Sequence, residues 1–387
     1  MPVGGALRAA LAFLILPLSL VPMYFAIPRF RTEIAKADPD RAPLDAPAVK
    51  PTTAELARWK QLPPIKGAVP VLGYHGVNDD GDHYSVTRRE FALQMEMLDR
   101  AGFETISIAE YVRFLHGMTV NLPRRPILIT FDDGRLDSYR GADRILGRHG
   151  FRATMFAIAG FVEERSSFYL TWDELRTMSK NGNWDVQEHA GVGHVNIPYD
   201  SAGHEGPAYA YRQYRPGKGL ESFAEYKRRV EHDVLWAKRT MSEQLPGFNP
   251  LAFAVPYGSY GQDRTNDPRI PGFMSRLLRR HFQAVFMTDP PRYSTPGSRR
   301  WALPRIELNE HVRAGTLYRW LRDRIPVPKP NPKPKPAVQT PPAEQPAAEQ
   351  QPAAVQQQAT PPAPVPQAAP AAQPAPAVSG AAGPASG

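Results

Sequence analysis

Between residues 68 and 325 the chain alternates short, strongly apolar runs with longer stretches whose apolar residues recur at helical spacing. The runs PVLGY (70–74), ETISI (104–108), PILITF (126–131), ATMFAIA (153–159), WDVQEH (184–189), LAFAVP (251–256), QAVFMT (283–288) and PRIEL (304–308) predict strands. Helices are predicted between them: REFALQMEMLDRAG after Thr87 as N-cap, YRGADRILGRHG, TWDELRTMSKNG, SFAEYKRRVEHDVLWAKRTMSEQL and PGFMSRLLRRHF. Gly102, Gly150 and Gly182 close three of these helices. Repeated strand-helix alternation calls for a parallel sheet, and about seven or eight such units predict an α/β fold, a distorted (β/α) barrel. In a barrel of this kind the chemistry sits at the C-terminal ends of the strands.

The flanks follow other patterns. Residues 9–28 form an uncharged apolar run long enough to span a bilayer, with Arg8 before it and Arg29, Arg31 and Lys36 after it. Residues 1–28 are therefore predicted to be an N-terminal transmembrane helix that holds the protein at a membrane. No small-residue cleavage site follows, although Pro17 and Pro22 weaken the helix. Residues 29–67, rich in Pro and charge, read as a linker. Residues 326–387, a Pro/Ala/Gln-rich tail with almost no branched or aromatic residues, read as disordered because they cannot bury enough surface to offset chain entropy.

Composition narrows the chemistry. In 387 residues there is no cysteine, so any metal must be held by His, Asp or Glu. The net charge of +9 is spread without a basic cluster, which speaks against nucleic acid and suits an anionic envelope. A monomer is expected.

Two motifs stand out. ITFDDG (129–134) places Asp132 and Asp133 at the end of an apolar strand, where adjacent carboxylates repel unless a cation or donor lies between them. Neighbouring side chains diverge, so one can bind a metal while the other faces a substrate. QEHAGVGH (187–194) follows another strand, and Gly191 and Gly193 let the loop bend His189 and His194 onto one ion. Two His and one Asp leave coordination positions open, as catalytic rather than structural metal sites do. His75 in PVLGYHGV, at the end of the first core strand, is placed to act as a proton donor. AFAVPYGSYG sets Tyr257 in a turn that can aim a backbone N–H at an oxyanion.

Taken together, TFDDG, the paired histidines, the PYG turn, the opening YHGV and LPRI (303–306) resemble the polysaccharide deacetylase family, carbohydrate esterase family four. The branch they resemble most is the circularly permuted poly-N-acetylglucosamine deacetylases. The resemblance implies Asp132 as general base, Asp133, His189 and His194 as metal ligands, His75 as general acid and the Tyr257 backbone as oxyanion donor. It also implies a divalent metal, with zinc as the default and cobalt or nickel admissible, and an N-acetylated polysaccharide as substrate. The catalytic domain is then expected outside the cytoplasm, in the periplasm or cell envelope.

Two departures from the family pattern occur. Ala190 stands where Ser or Thr is usual, and the Arg that usually precedes the PY turn is missing, with Ala254 and Val255 in that stretch. Arg305 in LPRI is the candidate cation to hold Asp132 in its place. Residues 200–219 match nothing in minimal family members and are expected to shape the substrate groove. The competing reading is a catalytically weak, membrane-tethered glycan-binding module of the same fold. A non-haem iron oxygenase is disfavoured, because that chemistry normally sits on a jelly roll.

Overall fold

The computed structural model describes residues 39–163, 167–288 and 292–323. The predicted transmembrane segment and the tail lie outside them. Among the described residues no helix is long and apolar enough to cross a membrane.

Each apolar run contributes a strand: β1 (Val71–Tyr74), β2 (Glu104–Thr105), β3 (Pro126–Phe131), β4 (Ala153–Ile158), β5 (Trp184–Ala190), β10 (Ala252–Ala254), β11 (Ala284–Phe286) and β12 (Ile306–Glu307). These form one eight-stranded sheet in the order β11-β10-β5-β4-β3-β1-β12, with β2 added to the edge of β3. Every pairing in it is parallel. Beyond β11, Phe286 makes a parallel bridge to Leu303, the residue that leads into β12. The sheet therefore curls back toward its first strand, as a (β/α) barrel requires.

Strands β3 and β4 are buried along their whole length, which is the mark of a sheet covered on both faces. Alternation sorts their side chains into two layers. Leu72, Ile129, Phe131, Met155 and Trp184 point outward against helices, while Val71, Leu128, Phe156, Ala254, Phe286 and Leu303 share one inner cluster. That cluster draws on the first and last strands alike, and alanines at 252, 254 and 284 keep the interior narrow.

The helices are α1 (Thr53–Trp59), α2 (Arg88–Arg100), α3 (Ile108–Leu115), α4 (Leu136–Arg148), α5 (Trp172–Lys180), α6 (Phe223–Gln244), α7 (Ile270–His281) and α8 (Ala314–Asp323). Capping boxes open α1, α3, α5 and α6 through Thr52/Glu55, Ser107/Glu110, Thr171/Glu174 and Ser222/Glu225. Two hairpins, β6 (Asn196–Pro198) with β7 (Glu205–Pro207) and β8 (Tyr214–Arg215) with β9 (Gly219–Leu220), span residues 196–220 and so take in the 200–219 stretch.

Packing reaches further toward the N-terminus than a linker ending at residue 67 implies. Trp59, Leu62 and Ile65 belong to the main core, Arg41 pairs with Glu174 at 2.6 Å, and the Leu44 N–H donates to the Arg140 carbonyl at 2.8 Å. The prolines and charges of this stretch serve a strap lying on the domain. Composition alone does not distinguish such a strap from a free linker, since each has a polar outer side.

Candidate metal centre and active site

All seven residues singled out in the sequence line one cavity of about 390 Å³ at the C-terminal ends of the strands. His75 follows β1, Asp132 and Asp133 follow β3, and His189 and His194 flank the end of β5. Tyr257 follows β10, and Arg305 immediately precedes β12.

The two aspartates diverge. Asp132 is buried, and its carboxylate accepts a two-pronged pair of hydrogen bonds from Arg305, Nη1 to Oδ1 at 2.7 Å and Nη2 to Oδ2 at 2.6 Å. Arg305 is only 1% exposed and also faces Glu307, with Nε 3.2 Å from Oε1. Burial alone would raise the Asp132 pKa, but the charges of Arg305 and His189 outweigh it and hold the carboxyl below the usual carboxylate range. Asp133 takes a left-handed backbone with φ of 71° and is followed by Gly134, also at φ 71°. This turn swings Asp133 toward the histidines, and a side chain at 134 would press on Ala157, its Cβ falling 3.2 Å from the Ala157 Cβ.

Asp133 Oδ1 lies 3.4 Å from His189 Nε2 and 3.4 Å from His194 Nε2. It is buried and has no hydrogen-bond partner. The ligand atoms of these three residues all fall within 4.8 Å of one another. His189 Nδ1 donates to the Ala254 carbonyl at 2.8 Å, which turns the Nε2 lone pair toward Asp133. An orphaned carboxylate oxygen facing two imidazole nitrogens fits a divalent cation, and the fixed tautomer of His189 completes that fit.

The imidazoles respond oppositely to their surroundings. Burial opposes a charge on His189, but the two aspartates overcome it and raise its pKa. Burial and the neighbouring His189 charge push His194 down to about 4. The two carboxylates thus stabilise one positive charge in the histidine pair, where a divalent ion would substitute for that proton.

Tyr257 adopts φ 56°, ψ 13°, in the middle of the Pro256–Gly258 turn, a conformation costing a non-glycine residue about 1 kcal/mol or more. Its ring lies 4.3 Å from that of His194 and is 44% exposed, so it forms part of the cavity wall. Tyr84, 61% exposed, also lines the cavity and stands beside His75, ring centroids 5.8 Å apart. The Ser138 hydroxyl donates to the His75 carbonyl and anchors the start of that loop.

Sequence reasoning missed Tyr84, Glu307, Thr288 and Asn309, which also line the cavity. Glu307 was detectable: it lies two residues beyond Arg305 in the run that leads into β12 and so points to the same side. The others sit in loops, where no periodicity reveals direction. His116 and His149 cap the C-termini of α3 and α4, and His281 is the last residue of α7.

A profile of the polysaccharide deacetylase family matches residues 119–269, the span that contains Asp132, Asp133, both histidines and Tyr257. Residues 119–269 carry a polysaccharide deacetylase domain. Over 227 residues the chain is 25% identical to the poly-beta-1,6-N-acetyl-D-glucosamine N-deacetylase of Escherichia coli K12, covering 54% of this chain and 33% of that relative. It thus spans about a third of that relative's length. Among solved structures, IcaB from Ammonifex degensii is 25% identical with a TM-score of 0.52, the match covering 66% of this chain and 97% of that one. A de-N-acetylase from Aggregatibacter actinomycetemcomitans shares the fold at a TM-score of 0.57 and 19% identity, over 65% of this chain and 99% of that one. The deacetylase domain is therefore a known fold, and its site geometry comes from this chain's own residues.

Proposed function

We propose that the domain hydrolyses N-acetyl groups from an amino-sugar polysaccharide of the cell envelope or a biofilm matrix, in a metal-dependent reaction. The observation that carries this reading is the convergence of Asp133, His189 and His194 beside an Asp132 that Arg305 keeps ionised. The name of the E. coli relative, a poly-N-acetylglucosamine deacetylase, supports the substrate class.

Asp133, His189 and His194 would hold the ion; zinc suits this donor set best, and cobalt or nickel are admissible. When bound, such an ion polarises the amide carbonyl and lowers the pKa of the attacking water. Asp132 removes a proton from that water, its lone pairs kept available by Arg305. The Tyr257 N–H, set by its left-handed turn, faces the oxyanion. His75 delivers a proton to the departing nitrogen, so that the C–N bond breaks to acetate and a free amine. Each group is within the same cavity, and Tyr84 and Tyr257 offer ring faces to a sugar.

The two departures from the family pattern do not favour an inactive glycan-binding module. Arg305 already holds Asp132, and the Asp233 carboxylate accepts the N–H groups of the histidine loop. We further infer that the apolar run at residues 9–28 anchors the protein in a membrane with the domain on the extracytoplasmic side, as a monomer. The support is the run itself and the location of such polymers.

Acetate release from β-1,6-linked N-acetylglucosamine oligomers tests the reading. Purified protein is expected to release acetate, to lose this on chelation and to regain it with zinc or cobalt. Absence of release from any N-acetylated oligomer or polymer by metal-loaded protein overturns the proposal.

A further inference from the structure

The loop between the two histidines is gripped from behind by a buried carboxylate with no role in the chemistry above. Asp233 lies on α6, on the same stripe as Tyr226, Val230, Val234, Ala237 and Met241, which are otherwise apolar or aromatic and face the core. Its Oδ1 accepts the N–H of Val192 at 2.7 Å, and its Oδ2 accepts those of Gly191 at 3.0 Å and Gly193 at 3.2 Å. The Tyr209 hydroxyl donates to the same Oδ2 at 2.5 Å, and Tyr209 is itself held by the Tyr226 hydroxyl on its carbonyl at 2.6 Å. Three successive backbone N–H groups around one carboxylate make an anion nest, here filled by the protein itself.

From the opposite side, the Ala159 and Gly160 N–H groups donate to the carbonyls of Ala190 and Gly191 at 2.9 and 2.8 Å. The glycines are present for closeness, not for a left-handed backbone, which neither adopts. A Cβ on Gly191 would come 2.6 Å from Asp233 Oδ1, and one on Gly193 would come 2.4 Å from the Tyr209 ring. Ala190 offers the loop no hydroxyl of its own. The backbone of residues 191–193 is therefore held by Asp233 on α6 from one side and by Gly160, just beyond β4, from the other.

We propose that Asp233 is the positioning residue of the metal centre: it fixes the 190–194 loop so that His194 faces Asp133, and so sets the affinity for a divalent cation. The inference rests on the metal-binding reading of Asp133, His189 and His194. If Asp233 served only as a packing staple between helix and loop, its loss would lower stability and leave the affinity of the folded protein unchanged.

The test is zinc affinity of the full chain, measured by competition with a chromophoric chelator, together with the visible absorption spectrum of the cobalt-loaded protein. Asp233→Ala is expected to weaken zinc binding by about 10–100-fold, the usual cost of losing an outer partner, and to alter the cobalt spectrum. Asp233→Asn keeps one acceptor oxygen and is expected to lose less. Gly191→Ala attacks the same contact from the loop and is expected to mimic Asp233→Ala; it and Asp233→Asn carry the comparison if Asp233→Ala does not fold. Asp267→Asn removes a buried carboxylate outside this cavity and is expected to destabilise the fold with wild-type affinity. Wild-type affinity and an unchanged cobalt spectrum in both Asp233→Asn and Gly191→Ala overturn the positioning role while leaving the metal reading intact. A wild-type chain that binds no divalent cation overturns both.

Discussion

Asp132 and Asp133 are adjacent in the chain but face different partners, Arg305 for the first and the paired histidines for the second. A bidentate guanidinium stabilises charge on the first far better than a point charge would. Asp132→Asn and His75→Ala are each expected to lower deacetylation by roughly 10²–10⁴-fold, the range for losing a general base or acid, as read from acetate release. Arg305→Lys keeps the charge but breaks the fork. The Asp132 carboxylate then loses part of what depresses its pKa, so the acid limb of the rate–pH profile is expected to move to higher pH. A limb that stays in place removes Arg305 from that role.

At the scale of the element, the start of α7 shows how one residue ties charge to backbone. Asp267 accepts hydrogen bonds from Arg269 through both its backbone N–H and its guanidinium, at 2.6–3.0 Å, and from Arg212 at 3.2 Å. Its hydrogen bond to Arg269, against a smaller opposing effect of burial, brings its pKa down to about 2. A pKa lower in the folded than in the unfolded chain gives stability that is present above the unfolded value and is lost as pH falls through the folded one. Asp267→Asn is therefore expected to cost about 1 kcal/mol at pH 7, after allowance for solvent screening. The difference should vanish near pH 2, as followed by denaturant unfolding across pH; a difference that persists there would mean that packing, not charge, is lost.

Across the whole molecule, the segment before β1 is part of the fold. Trp59, Leu62 and Ile65 are each 4% exposed or less. Burying a large apolar side chain contributes about 1.5–3 kcal/mol, so a chain beginning at Gly67 is expected to lose roughly 5 kcal/mol and to melt well below one beginning at Pro39. Calorimetry of the two chains decides this. Equal melting temperatures would show that the strap adds nothing.

Much of this was legible from sequence for a local reason: a strand buried on both faces must be a continuous apolar run, and a helix on one face must repeat every three or four residues. The eight strands, five of the helices and the ends where chemistry gathers all follow from that. The strap around Trp59 with α1, helices α3 and α8 and the hairpins at 196–220 were not legible, because they are short and their burial depends on partners far along the chain. Asp233 left one trace, a carboxylate on the apolar stripe of α6, but its meaning needed the loop 40 residues earlier in contact with it. The sequence by itself determined which residues can bind a cation, move a proton or form the sheet, since these are properties of side chains and their spacing. Only the tertiary structure decided which way each points, because Asp132, Arg305, Asp133 and the histidines come from strands that meet only when the sheet curls.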